Sequence, residues 1–132
     1  MINQAKLLAK IKQLSTKNDD VEVVWLYGSR ATGAETKESD FDLAIAFKNF
    51  KLSTMDAFLR PNELAIDWTQ LLNIPEEKLS LVDINKAPIY LAFNIVEYGE
   101  IIYQTPTSRA FTEQNRIYSQ YEYQMIENTQ NE

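Results

Sequence analysis

Apolar residues recur at helical spacing in Leu7, Leu8, Ile11 and Leu14, with Lys6, Lys10, Lys12 and Lys17 around them. This predicts a surface helix from about Asn3 to Lys17, ended by Asn18-Asp19-Asp20. The pattern then shortens. Val21-Glu-Val-Val-Trp-Leu26 and Leu43-Ala-Ile-Ala-Phe47 are brief apolar runs bounded by turn residues, as buried strands are. The second continues back to Asp42. A polar stretch, Lys48 to Thr54, interrupts the pattern. After Pro61, Leu64, Trp68, Leu71 and Leu72 predict a helix over 62–73, and Pro75-Glu-Glu-Lys78 a turn. Leu79-Ser-Leu-Val-Asp-Ile84 reads as a third strand. From Pro88 to Tyr98 the spacing is helical and apolar on much of the circumference, with Gly99 as a left-handed terminus. Glu100-Ile-Ile-Tyr103 is a short strand. Thr105-Pro106 supplies a cap and first helical position for a C-terminal helix over about 106–127, striped by Phe111, Tyr118, Tyr121 and Met125. The sum is a small α/β chain, a twisted sheet covered mainly on one side by helices, with any acids at the strand ends on the open side.

Chemistry concentrates between the first two strands, where Gly28-Ser29 precedes Asp40-Phe41-Asp42 by ten intervening residues. Residues two apart on a strand share a face, so Asp40 and Asp42 project together. At ~4 Å and an effective dielectric of about 20, two carboxylates repel by roughly 4 kcal/mol, unless one is protonated or a cation lies between them. A divalent metal satisfies the pair. The chain has no Cys and no His, so an all-oxygen site suits a hard ion, Mg²⁺ where phosphates complete the shell. Gly28 lets backbone approach a ligand or take positive φ. Ser29 and the following amides can donate to phosphate oxygens, and Arg30 is the nearest cation for the same task. An ordinary turn and an ordinary loop before a strand would explain either half alone.

The run Gly28-Ser-Arg-Ala-Thr-Gly33 followed by Ser39-Asp-Phe-Asp-Leu-Ala-Ile45, each part on a hydrophobic strand, resembles the signature of the polymerase-β-type nucleotidyltransferases. It is similar in particular to their minimal members, the MNT antitoxins encoded beside HEPN-domain toxins. Tyr98-Gly-Glu-Ile-Ile-Tyr103 extends the resemblance over roughly the first hundred residues. Thr32 stands where members often carry Arg. The resemblance implies a polymerase-β-like fold, ATP as donor, and transfer of AMP to a hydroxyl, tyrosine foremost, of a cognate ribonuclease-type HEPN toxin, which this silences. It also implies a third acid on a later strand. Asp83, in phase with Leu79 and Leu81, is the candidate, joining Asp40 and Asp42 around two Mg²⁺ ions; capping the next helix or pairing with Lys86 is the alternative. Two rival functions stay open: an antitoxin that masks its toxin without catalysis, and a nucleotidyltransferase for a small molecule of aminoglycoside type.

Composition narrows the partners. At 132 residues the whole chain, 1–132, reads as one domain, and 45% hydrophobic with 24% charged residues marks it as globular. A formal charge of −6 repels phosphate backbones, so nucleic acid is not the expected substrate and a basic protein surface suits better. The start of the chain is a lysine-dotted amphipathic stretch and not a signal peptide, and no apolar run is long enough for a bilayer. The expectation is a cytoplasmic protein with no membrane contact. The aromatic stripe of the last helix either docks on the domain or faces a partner.

Overall fold

The computed structural model describes residues 3–130. In chain order these form α1 (Gln4–Thr16), β1 (Val21–Tyr27), α2 (Ser29–Thr32), β2 (Phe41–Phe47), α3 (Thr54–Leu72), a 3₁₀ turn (Glu76–Lys78), β3 (Leu79–Asp83), α4 (Ile89–Tyr98), β4 (Glu100–Gln104) and α5 (Arg109–Gln130). The strands make one sheet in the order β3-β2-β1-β4. β1 runs antiparallel to both β2 and β4, while β2 and β3 are parallel and joined through α3. This is the mixed sheet with flanking helices and a C-terminal helix that the hydrophobic pattern implies.

Helices cover both faces of the sheet, not mainly one. On the first face Leu7 and Ile11 of α1, with Leu64, Trp68 and Leu72 of α3, pack on the odd-numbered residues of β2 from Phe41 to Phe47 and on Leu79 and Leu81. On the second, Ala92 and Ile95 of α4 and Ile117 of α5 pack on Val23, Trp25, Ala44 and Ala46. The reason lies in β2, which is apolar at every position except Asp42. Its odd residues are large and its even ones small, so a strand apolar on both sides is covered on both sides.

Three element boundaries depart from the expected ones. α3 starts at Thr54, eight residues before the predicted point, and carries Pro61 inside it. Ser53 caps it by accepting from the Asp56 N–H at 3.1 Å, and Arg60 anchors its early turns to the carbonyl of Asn49 at 2.8 Å. One lost backbone donor at Pro61 is thereby tolerated. α5 starts at Arg109 and not at Pro106, and Thr107 accepts the Arg109 N–H at 3.3 Å just ahead of it. Gly99 is extended, at φ −79° and ψ 173°, not left-handed. It is glycine because a Cβ there would collide with the Ile95 carbonyl and come within 2.9 Å of the Leu26 carbonyl. No helix among the described residues is long and apolar enough to cross a membrane.

Candidate active site

β1 ends by pairing Tyr27 with Asp42, the one polar residue of β2. The chain leaves the strand through Gly28 at φ 74° and ψ −157°, a conformation open in practice to glycine. A Cβ on Gly28 would lie 2.6 Å from Oδ2 of Asp42. The carboxylate thus rests against bare backbone, and any side chain at Gly28 would be strained and would displace it. Ser29 opens α2 directly beyond. The turn is held by its own backbone: Ala31 N–H donates to the Gly28 carbonyl at 3.1 Å and Ala34 N–H to the Ser29 carbonyl at 3.0 Å. The first amides of α2 have no partner within the helix, which leaves them to a ligand or solvent.

Asp40 lies exposed two residues before Asp42, which is half-buried at the start of β2. None of the ion pairs among the described residues involves either carboxylate. Burial, and then the charge of Asp40, push the Asp42 carboxyl above its ordinary range. Burial and the Asp42 charge in turn push the Tyr27 phenol up to about 12, so it stays protonated. The charge of Asp40 is thus felt at Asp42, and no ion pair among the described residues offsets it. An oxygen-only pair in this state fits a hard divalent cation whose remaining positions are filled by phosphate.

Two expected members are elsewhere. Arg30 does not face the carboxylates: its guanidinium donates to the Ser39 carbonyl at 2.8 and 3.3 Å and to Oε1 of Gln4 at 3.3 Å. It also lies 4.2 Å over the ring of Phe41, on the opposite face of the sheet from Asp42. Arg30 straps the loop over 33–40 to β2, and that is its part in placing Asp40. Asp83 does not join the pair either. It registers with Ile45 at the far end of the parallel pair and on the first face, among Leu79 and Leu81. It is 5% exposed, pairs with Arg60 at 3.6 Å and accepts the Asn85 N–H at 2.9 Å. Among the described residues no group of three or more His, Cys, Asp or Glu could hold a metal ion. The expected trio is a pair.

Sequence reasoning missed the two neighbours of Asp42 across the sheet, Tyr27 on β1 and Ser80 on β3. The signal for Ser80 was available in phase: it alternates with Leu79 and Leu81 as Asp42 alternates with Phe41 and Leu43.

Comparison with known proteins identifies the family and the fold. The family model described as "Polymerase beta, Nucleotidyltransferase" matches residues 9–108. A protein adenylyltransferase MntA from Aphanizomenon flos-aquae (strain 2012/KM1/D3) is 27% identical over 127 residues, covering 89% of this chain and 82% of that protein. A chain of a toxin–antitoxin crystal structure with AMP-PNP superposes with a TM-score of 0.72 at 23% identity, covering 92% of both chains. Another, from tri-AMPylated Shewanella oneidensis HEPN toxin in complex with MNT antitoxin, gives a TM-score of 0.68 at 20% identity, covering 96% of this chain and 93% of the other. With most of its length inside the family model, and the Gly-Ser turn packed on the aspartate strand, this chain belongs to the polymerase-β nucleotidyltransferase family.

Proposed function

We propose that this chain is a cytoplasmic antitoxin that transfers AMP from ATP to a hydroxyl, tyrosine foremost, of a cognate HEPN toxin and so neutralises it. The observation that carries the reading is the Asp42 carboxylate seated against Gly28 beside Asp40, in no ion pair among the described residues. The relatives point the same way: one is named a protein adenylyltransferase, one fold neighbour was crystallised with AMP-PNP, and another with an AMPylated HEPN toxin.

In this reading the hydroxyl gives up its proton to solvent, its oxygen bonds to the α-phosphorus, the bond from that phosphorus to the bridging oxygen breaks, and pyrophosphate departs. Gly28, Ser29 and the amides opening α2 hold the β- and γ-phosphates. Asp40 and Asp42 would hold Mg²⁺, which when bound would offset charge on the phosphoryl oxygens. Each AMP adds bulk and negative charge where a ribonuclease must receive RNA phosphates. Arg30 and Asp83 act on structure, not on the nucleotide.

The test is intact mass spectrometry of the cognate HEPN protein after incubation with this chain and Mg-ATP. One or more AMP increments are expected, absent with Asp42→Asn. The lack of a third carboxylate beside the pair among the described residues gives one observation to the masking alternative. That alternative requires an unmodified toxin and a D42N variant that neutralises as well as wild type at equal stoichiometry.

A further inference from the structure

The strand register shows which β3 residue stands beside Asp42. In the parallel pair Asp42 is level with Ser80, and Leu43 with Leu81. Residues level with each other on neighbouring strands share a face and stand side by side. Ser80 is therefore the β3 residue beside Asp42, and it is exposed. On the other side Asp42 has Tyr27. The row across the sheet is hydroxyl, carboxylate, hydroxyl, and Asp40, two residues before Asp42, is the second acid. The nearest acid further along β3, Asp83, has its charge matched by Arg60 on the opposite face.

Affinity for a hard cation follows the number of charged oxygens that replace its tightly held water. Two carboxylates, one of them exposed, compete poorly with that hydration shell; two carboxylates and a triphosphate compete well. Resting on the nucleotidyl-transfer reading above, we infer that Ser80 leaves the cation site one carboxylate short, so that this chain takes up its divalent cation as the nucleotide complex and not as the free ion. Ser80 is a specificity-determining position: it sets the dependence of metal binding on nucleotide.

The test is titration of Mn²⁺ into the full chain, with the free-ion signal read by electron paramagnetic resonance. Without nucleotide, Ser80→Asp is expected to bind Mn²⁺ at least about tenfold tighter than wild type. Ser80→Asn and Asp83→Asn should match wild type, and Asp42→Asn should weaken binding further. Adding AMP-PNP should tighten wild type strongly and narrow its gap to Ser80→Asp. Ser80→Glu serves if Ser80→Asp fails to fold, as judged by circular dichroism. The inference is overturned if wild type binds free Mn²⁺ as tightly as the acidic variants, if the acidic variants bind no tighter than Ser80→Asn, or if Asp83→Asn loosens the ion. Absence of AMP on the toxin with an intact Mn²⁺ pattern would instead remove the transfer reading and leave this one standing.

Discussion

The two ends of the sheet treat the same side chain in opposite ways. Where β2 and β3 finish, four acids have cations. Arg60 pairs with Asp20 at 3.1 Å and with Asp83 at 3.6 Å, while Arg109 pairs with Glu22 at 3.0 Å and with Glu113 at 3.1 Å. Arg116 adds a bond to Glu113 at 2.9 Å, and Asn85 donates to both of its oxygens at 2.8 and 3.0 Å. That end ties α3 and α5 to the sheet. Where β2 begins, Asp40 and Asp42 repel each other without a counter-charge, and the one arginine nearby, Arg30, is spent on a carbonyl and a ring. Matched acids hold this fold together. The unmatched pair at the other end is what the proposed site would present to a ligand.

The sharpest way to break this comparison is to neutralise one acid at each end. Asp42→Asn is expected to lower AMP transfer at least about 10²–10³-fold, the scale of removing a group aimed at developing charge. Its melting temperature should be unchanged or higher, since a repulsion is removed. Rates of pyrophosphate release beside thermal melts check both halves. Arg109→Ala should do the reverse. It leaves Glu22 unpaired and takes one of two cations from Glu113, which is 5% exposed. Breaking buried pairs in this way costs about 3 kcal/mol, read by urea unfolding, while transfer per folded molecule stays close to wild type.

Gly28→Ala sharpens the comparison, because it strikes both fold and chemistry at one point. Adding a methyl group 2.6 Å from Asp42 Oδ2 at φ 74° strains the backbone and should cost about 1–2 kcal/mol of stability. A shift of the carboxylate by about 1 Å is worth roughly 10²-fold in rate. A variant that loses stability alone, with full transfer activity, would separate Gly28 from the site.

Much of this was legible along the chain, and what was not had particular causes. β1, β2, β3 and β4 are short apolar runs with abrupt punctuation, so their positions follow from pattern. The Gly-Ser turn and Asp40-Phe-Asp42 are local in sequence, and local spacing sets their mutual geometry. Asp83 misled for a reason that the same alternation contains. It is in phase with Leu79 and Leu81, whereas Asp42 is out of phase with Phe41 and Leu43, so the two acids belong to opposite faces. Only the assumption of an open sheet face hid this, and the helices on both faces remove it. Arg30 shows a second limit: nearest in sequence is not nearest in space, because a guanidinium finds a flat ring and a carbonyl before it finds a ligand. The start of α3 was obscured because Met55, Phe58 and Leu59 are exposed, so its first turns lack an inward apolar stripe.

The smallest expected effect concerns pH at the matched end. Burial pulls the Glu113 carboxyl up, but hydrogen bonds from Asn85, Arg116 and Arg109, with the charge of Arg116, outweigh it and hold the group below the ordinary glutamate range. A carboxyl with a depressed folded value contributes stability that is fully present above its unfolded value of about 4.3 and is lost as pH falls through the folded one. The contribution of Glu113 should therefore be complete at neutral pH and fade only in acid below that range. Melting wild type and Glu113→Gln side by side from pH 7 to pH 3 isolates it, since every other carboxylate titrates in both. The gap is expected to be about 1–2 kcal/mol at neutral pH and to close as the medium becomes more acid than the usual glutamate value. A gap that stays constant to pH 3 would mean that the network around Glu113 holds the helix by shape and packing, with its charge immaterial, and the contrast between the two ends of the sheet would then rest on Arg60 with Asp20 and Asp83 and on Arg109 with Glu22.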